Sequence, residues 1–252
     1  MATSSSDKPA VVLVHGGWHI PSTYSKLVGL LQSSGLDVHV PRLPSMNEAR
    51  PPNVDLATDT EHIRSYVENL VDAGRSVVAV MHSYGGQVGT NALTNLSLES
   101  RAKRGLPGRC RGPRLHVRVR AAGGRVHAFD FDEKDNSVIC RDPKTSLIGD
   151  GDGAGTDEVE AYLASLVRWN GTCMYQAISQ CAWREVPVTY IYTSVDMTVL
   201  FDYQKSMVEM MRKEGRKVAT VELSTGHCPN LTKTQEVADV IWKVAMGEVV
   251  GE

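Results

Sequence analysis

Residues 76–86 read SVVAVMHSYGG, and this stretch decides the fold. The run from Ser76 to Val80 is rich in valine, which is typical of a strand buried on both faces. It leads into Ser83 and then two glycines, so the pattern predicts a strand, a sharp turn and a helix, the arrangement called a nucleophile elbow. The usual elbow pattern is G-x-S-x-G, and Met81 stands where its first glycine belongs. The match is therefore partial, with Ser83 as the candidate nucleophile.

A histidine and an aspartate stand where the partners of a nucleophilic serine belong. His227 follows the predicted strand Lys217–Leu223 and precedes the last helix, and Asp196 follows the predicted strand Val186–Thr193. The carboxyl ends of parallel strands meet at one edge of a sheet, so both side chains are expected near the elbow. Serine catalysis needs a base for the hydroxyl proton and an acid to orient that base. His227 is the predicted base and Asp196 the predicted acid, with Asp202 in reserve.

Backbone amides are the expected donors to a developing oxyanion. One is the N–H of Tyr84, directly after the candidate nucleophile, and the other is the N–H of Gly17 or Trp18, in the loop after the first clear strand. Glycine in that loop lets the backbone approach a substrate closely, because no Cβ intervenes.

Five residues near these positions have a structural interpretation to weigh, or no assigned role. His15 is expected to brace its loop by hydrogen bonding. Trp18 and His19 either line a pocket or pack as ordinary buried rings. His82 and Cys228 are neighbours of the candidate serine and histidine, and the sequence assigns neither a role.

Apolar strands alternate with helical periodicity along the chain, which indicates an α/β fold with a mostly parallel central sheet of about eight strands and helices on both faces. The other predicted strands are 10–14 and 36–40, and the predicted helices lie near 27–31, 63–71, 203–213 and 237–244. Thr232 and Gln235 are predicted to form a capping box for the last helix. We expect a single domain over residues 1–252. The less regular residues, about 97–185, are expected to form a small cap.

Composition limits the classes of partner. The chain has 252 residues, of which 42% are hydrophobic, enough for one large core. A net charge of −2 gives no electrostatic reason to bind nucleic acid or a membrane, so a small-molecule substrate is expected. The N-terminus has no apolar signal region, and five scattered cysteines fit reduced thiols, so a cytoplasmic location is predicted. The sequence does not indicate an oligomeric state.

Four segments together resemble the α/β-hydrolase superfamily: VVLVHGGWH at 11–19, MHSYGG at 81–86, the Asp196 loop and STGHCPNL at 224–231. The likeness covers roughly residues 9–96 and 140–247, and is strongest to small esterase-like members, which include plant methyl esterases, hydroxynitrile lyases and many fungal enzymes. It implies an α/β-hydrolase fold and hydrolysis of a small ester, thioester or lactone through an acyl-enzyme on Ser83. No metal or cofactor is implied. A role in fungal specialised metabolism is a further expectation.

Two other functions fit the same residues. A hydroxynitrile-lyase-like enzyme would use the serine and histidine to move protons without forming an acyl-enzyme. A degenerate, non-catalytic ligand-binding member is the third alternative, since Met81 and an arginine-rich segment depart from the family pattern.

Residues 109–120, RCRGPRLHVRVR, hold five arginines where the fold requires a central apolar strand. A nucleic-acid patch and an amphipathic edge strand are two explanations. The third is a local frameshift over 109–124, because reading one nucleotide later permits the apolar peptide VVVVHVYMCAFALPEG. Sequencing the transcript tests this hypothesis, and an uninterrupted frame without compensating insertions or deletions would contradict it.

Overall fold

A computed structural model describes residues 8–106, 115–116, 129–149 and 153–251. In these residues, six parallel strands form a sheet: β1 (Ala10–Val14), β2 (Asp37–His39), β3 (Val77–Met81), β4 (Leu115–His116), β8 (Val188–Thr193) and β9 (Val218–Leu223). Their order across the sheet is β2-β1-β3-β4-β8-β9. Three antiparallel strands form a second sheet in the order β5-β6-β7, namely β5 (Phe129–Phe131), β6 (Ser137–Cys140) and β7 (Trp169–Asn170).

Helices cover both faces of the parallel sheet. The α-helices are α1 (Ser25–Ser33), α2 (Leu56–Asp72), α3 (Tyr84–Ala92), α4 (Leu98–Lys103), α5 (Thr156–Ala164), α6 (Phe201–Lys213), α7 (Pro229–Thr232) and α8 (Thr234–Met246). A π-helix spans Lys144–Ile148, and 3₁₀ turns span Pro21–Tyr24, Pro44–Met46, Gly171–Tyr175 and Ala182–Arg184.

Side chains of β1 and β3 alternate between two apolar clusters, because successive residues of a strand point to opposite faces. Val12 and Val77 pack with α2 and α3, whereas Val11 and Val78 pack with α1 and α8. Every residue of both strands is buried. The valine-rich run is thus a central strand covered on both sides, as the sequence predicts.

The fold class is confirmed, with three differences in detail. The described residues contribute six strands to the parallel sheet instead of about eight. The capping box at Thr232 and Gln235 is wrong, because Thr232 ends α7 and its hydroxyl lies 2.5 Å from that of Thr225. Lys233 precedes α8 instead and makes no side-chain cap. Strand limits move by one or two residues, as for β3.

The arginine-rich segment is described only at Leu115–His116. These two residues pair with β3 on one side, Val80 opposite Leu115, and with β8 on the other. They are therefore central, so the edge-strand explanation is wrong for them. The rest of 109–124 lies outside the described residues, and the frameshift stays a hypothesis.

The second sheet, the π-helix and α5 lie in the part of the chain expected to form a cap. We use the name cap for residues 129–149 and 153–175. The division into one domain with a cap-like insertion over about 97–185 stays a prediction, as does the cytoplasmic location. In the described part of the chain, no helix has both the length and the apolar character needed to cross a membrane.

Candidate active site

The turn after β3 has the geometry of a nucleophile elbow. Ser83 has φ 53° and ψ −122°, a strained conformation for a residue with a side chain. Hydrogen bonds from the N–H of His82 to the Val14 carbonyl (3.0 Å) and from the N–H of Gly85 to the His82 carbonyl (2.8 Å) hold the turn. A Cβ on Gly85 would collide with the Val14 carbonyl, so only glycine lets α3 start this close to β1.

Met81 is accommodated by a second small residue. Its side chain is fully buried and lies over Gly89, one turn into α3, where an added Cβ would be 2.6 Å from the methionine sulfur. The space lost at the first glycine of the usual pattern is therefore recovered at Gly89. The departure at Met81 does not distort the elbow.

The structure brings the three predicted polar side chains together. Nε2 of His227 lies 2.8 Å from Oγ of Ser83, and Nδ1 of the same ring lies 2.8 Å from Oδ2 of Asp196. His227 and Asp196 are 1% and 3% exposed and Ser83 is 8% exposed, so the pair is shielded while the serine stays partly accessible. Since a carboxylate only accepts, Nδ1 carries a proton and Nε2 is free to accept one from the serine.

Asp196 is held as an acceptor on both oxygens. Oδ1 accepts from the backbone N–H of Thr198 and of Val199, each at 2.8 Å, and Oδ2 also accepts from the Thr193 hydroxyl at 2.9 Å. Burial acts to raise the pKa of Asp196, but attraction to His227 and these hydrogen bonds outweigh burial and lower it. The reserve acid Asp202 lies on the exposed side of α6, paired with Lys205, and is not part of this group.

The loop after β1 lies directly against the elbow. A Cβ on Gly16 would be 3.2 Å from the Cβ of Ser83, so the loop backbone lies beside the candidate nucleophile. Trp18 has φ 63°, a left-handed conformation that is uncommon for a bulky residue. Tyr84 is the first residue of α3, and the first N–H groups of a helix have no partner within it. Gly16 and the predicted donor Tyr84 thus lie beside the serine, and the predicted donors Gly17 and Trp18 follow Gly16 in the same loop.

His15 braces this loop, as expected. Its Nδ1 lies 3.0 Å from the Gly16 carbonyl, and its Nε2 accepts from the N–H of Leu43 at 2.9 Å. Burial lowers the pKa of His15 to about 4, so the ring is neutral and its two nitrogens keep these roles. Trp18 and His19 are also buried, at 3% and 1% exposure.

Comparison with known proteins identifies the family of the chain. The family model described as "Alpha/beta hydrolase family" matches residues 11–240. The chain belongs to the α/β-hydrolase family. A probable hydrolase of Phoma sp. is 27% identical to this hydrolase over 241 residues, which cover 94% of this chain and 98% of that protein.

Solved structures share the fold at low sequence identity. A pyrethroid hydrolase from Sphingobium faniae matches the hydrolase with a TM-score of 0.70 at 18% identity, covering 94% of this chain and 97% of the other. A methylesterase from Arabidopsis matches with a TM-score of 0.69 at 16% identity, covering 95% and 99%. The resemblance to the α/β-hydrolases stated from the sequence motifs is confirmed.

The sequence did not reveal a link between the elbow and the base loop of this hydrolase. Nε2 of His82 lies 2.9 Å from the backbone carbonyl of His227, and Nδ1 lies 2.6 Å from the Tyr24 hydroxyl, which also accepts from the N–H of Gly16 at 3.1 Å. Burial, with the nearby His227, lowers the pKa of His82 to about 3. The neutral ring therefore donates to the carbonyl and accepts from Tyr24. Through Tyr24, the ring ties the loop after β1 to the backbone of the candidate base.

A buried carboxylate in α2 also escaped the sequence. Asp59 is fully buried and accepts from the hydroxyl of Ser45 (2.5 Å), the N–H of Ser45 (2.9 Å) and the hydroxyl of Tyr84 (2.7 Å). Burial raises the pKa of Asp59, although the hydrogen bonds oppose that shift. The Ser45 hydroxyl accepts in turn from the indole N–H of Trp169 in the cap at 3.2 Å. Asp59 thus ties α2 to the first residue of α3 and to the cap.

Proposed function

We propose that this α/β-hydrolase is a serine esterase that cleaves a small ester, thioester or lactone through an acyl-enzyme on Ser83. The observation that carries the proposal is the pair of 2.8 Å hydrogen bonds that join Ser83 to His227 and His227 to Asp196. This arrangement is the one that serine acyl transfer requires, and it stands on loops after β3, β8 and β9, where the family places its catalytic groups.

In the proposed reaction, Oγ of Ser83 attacks the carbonyl carbon of the substrate while Nε2 of His227 accepts the hydroxyl proton. Asp196 stabilises the imidazolium that forms. The oxyanion accepts from the N–H of Tyr84 and from that of Gly17 or Trp18. His227 then donates its proton to the leaving alcohol or thiol. Water, activated by the same histidine, hydrolyses the acyl-enzyme and releases the acid.

The surroundings of the serine support an uncharged, largely apolar substrate. One apolar cluster joins the core to the cap beside the elbow, and it includes Trp18, Tyr84, Leu147, Ile148, Tyr162, Trp169, Cys228 and Leu231. Burial lowers the pKa of the three other histidines around the serine, His15, His19 and His82, so these rings are neutral at physiological pH. A charged substrate would lose its hydration there without gaining a partner from these three neutral rings. A place in fungal specialised metabolism is part of the proposal and rests on the resemblance to fungal members.

Labelling with a fluorophosphonate tests the proposal, because the probe phosphonylates only an activated serine. We expect one label, mapped to Ser83 by mass spectrometry and lost in Ser83→Ala and His227→Ala. Ser206→Ala, on the exposed side of α6, is the matched control and keeps the label. A folded protein that takes no label would contradict the proposal and favour a non-catalytic member.

Turnover separates hydrolase from lyase chemistry on the same residues. We expect wild-type protein, but not Ser83→Ala, to release p-nitrophenol from p-nitrophenyl acetate with a burst equal to the labelled fraction, the kinetic sign of an acyl-enzyme. Cyanide release from a cyanohydrin without such a burst would favour the lyase.

A further inference from the structure

The two candidate oxyanion peptides are both held through their carbonyl groups by histidines. The N–H of Gly17 belongs to the Gly16–Gly17 peptide, whose carbonyl oxygen lies 3.0 Å from Nδ1 of His15. The N–H of Trp18 belongs to the Gly17–Trp18 peptide, whose carbonyl oxygen lies 2.5 Å from Nδ1 of His19. Because a peptide is planar and its N–H points opposite to its C=O, fixing the carbonyl fixes the direction of the donor.

The two histidines differ in what holds them. Nε2 of His15 accepts from the backbone of Leu43, in the core. Nε2 of His19 instead lies 2.5 Å from the hydroxyl of Tyr162, in the cap helix α5. The same hydroxyl is 2.7 Å from Sγ of Cys228, next to the candidate base. Tyr162 therefore lies between the candidate oxyanion loop, residues 16–19, and the loop that carries the candidate base His227.

The protonation of His19 follows from its partners. The Gly17 carbonyl can only accept, so Nδ1 carries the proton. Burial, with the neighbouring His82, lowers the pKa of His19 well below its usual value, so Nε2 has no proton and acts as an acceptor. Its nearest donor is the Tyr162 hydroxyl at 2.5 Å, whereas the Cys228 sulfur is 3.7 Å away. The single hydroxyl proton of Tyr162 is therefore directed at His19, and in the 2.7 Å contact with Cys228 the thiol donates to the Tyr162 oxygen. The contact is thus directional, from the Tyr162 hydroxyl through the imidazole to the Gly17 carbonyl.

Two further cap contacts reach Gly17 and Trp18. The N–H of Val167 donates to the Trp18 carbonyl at 2.8 Å. The ring of Trp169 lies over Gly17, where an added Cβ would be 2.7 Å from Cζ3. The left-handed conformation of Trp18 is strained, and such conformations persist when the surroundings determine them. The surroundings here belong to the cap.

We propose that Tyr162 is a positioning residue that, through His19, fixes the Gly17–Trp18 peptide, so that the cap must be seated for the oxyanion site to form. This inference rests on the proposed esterase function. The cap is then part of the catalytic geometry as well as a cover, because a substrate that displaces α5 also reorients the N–H donor of Trp18.

The test uses Tyr162→Phe, which keeps the ring and removes the hydroxyl, with Tyr175→Phe on an exposed cap residue as the matched control. We expect Tyr162→Phe to lower kcat for p-nitrophenyl acetate by about 10- to 100-fold, with KM changed by less than about twofold. Tyr175→Phe should behave as wild type. A higher KM at unchanged kcat would overturn the proposal, because Tyr162 would then bind substrate directly.

Rescue at His19 identifies the route. Asparagine can place an N–H near the position of Nδ1 and needs no help from Tyr162, so His19→Asn should retain more kcat than His19→Ala. In the His19→Asn background, Tyr162→Phe should have no further effect. An equal loss in both backgrounds would overturn the relay through His19. If Tyr162→Phe fails to fold, judged by thermal unfolding, the two His19 variants alone decide, and equal kcat in them contradicts the proposal.

Failure of the esterase function would look different. In that case the wild-type protein itself shows no Ser83-dependent labelling or burst. If the wild type labels and turns over but Tyr162→Phe matches it, the esterase function stands and the positioning role of Tyr162 is wrong.

Discussion

The candidate catalytic trio and the candidate oxyanion loop lie side by side, yet they are supported in different ways. Ser83, Asp196 and His227 stand at the ends of parallel strands and are fixed by the sheet and by nearby backbone. Residues 17–19 also contact side chains and backbone of the cap, more than 140 positions along the chain. The sheet therefore brings the candidate reacting groups together, whereas the cap contacts the loop that is proposed to donate to the oxyanion.

The largest expected effect comes from a change at Asp196, one of the three candidate residues that the parallel sheet holds in place. Asp196→Asn must keep oxygen at Oδ1, which accepts from two backbone N–H groups, so its NH₂ group would face Nδ1 of His227. The imidazole would then take the wrong tautomer and present a proton to Ser83. We expect kcat to fall by about 10⁴-fold with little loss of stability. Steady-state kinetics and thermal unfolding measure this, and a fall of less than tenfold would contradict the assigned role.

Gly85→Ala should break the elbow itself. The added Cβ meets backbone oxygen of β1, which cannot move without disturbing the sheet, so we expect a loss of about 3 kcal/mol or more in the free energy of unfolding. Gly29→Ala is the matched control, since it is exposed in α1 with open space around it, and should stabilise by about 0.5–1 kcal/mol. Urea unfolding compares the two, and similar values would show that the elbow is not tightly packed.

Gly17→Ala should disturb residues 17–19, which the cap contacts, while leaving the fold intact. The three atoms nearest to its Cβ all belong to the ring of Trp169, the first at 2.7 Å, and a side chain can shift where backbone cannot. We expect kcat to fall by about 10- to 100-fold and stability by about 1 kcal/mol. Kinetics with p-nitrophenyl acetate check the prediction. Unchanged kcat with lowered stability would mean that the Trp169 contact does not set the donor.

Acid should weaken both regions together, because each contains a histidine that is buried and neutral. The pKa values of His15 and His82 are about 4 and 3 when folded, against about 6.5 when unfolded. The unfolded chain thus binds more protons below pH 6.5, and stability should fall as pH drops from about 6.5 towards 4, by up to about 1.4 kcal/mol per pH unit for each histidine. Asp59, whose pKa is raised by burial, gives a slope of the opposite sign.

Urea unfolding at pH 7, 6 and 5 measures this dependence. His82→Gln should have a shallower slope than wild type, because glutamine cannot take up a proton when the chain unfolds. Equal slopes in His82→Gln and wild type would show that His82 does not remain neutral when folded.

The sequence predicted the three candidate catalytic residues better than it predicted the residues that hold the site in place. Strand β1 was predicted with the limits that the structure has, and β3 within one residue, because valine-rich runs between helices are a local signal. Asp59 and Tyr162 carried no such signal. Each lies in a helix with ordinary periodicity, and only the packing of distant segments makes it a partner of the site. The capping box at Thr232 was wrong for the same reason, since contact with Thr225 competes for its hydroxyl.

The sequence by itself determined the α/β architecture, the elbow at Ser83 and the order of Asp196 and His227 after it, because each depends on a strand and the few residues that follow it. Only the tertiary structure decided how Met81 fits against Gly89, why the rings of His15, His19 and His82 stay neutral, and which cap residues contact His19 and Trp18. Those features depend on burial and on contacts between distant residues, which strand and helix periodicity does not encode.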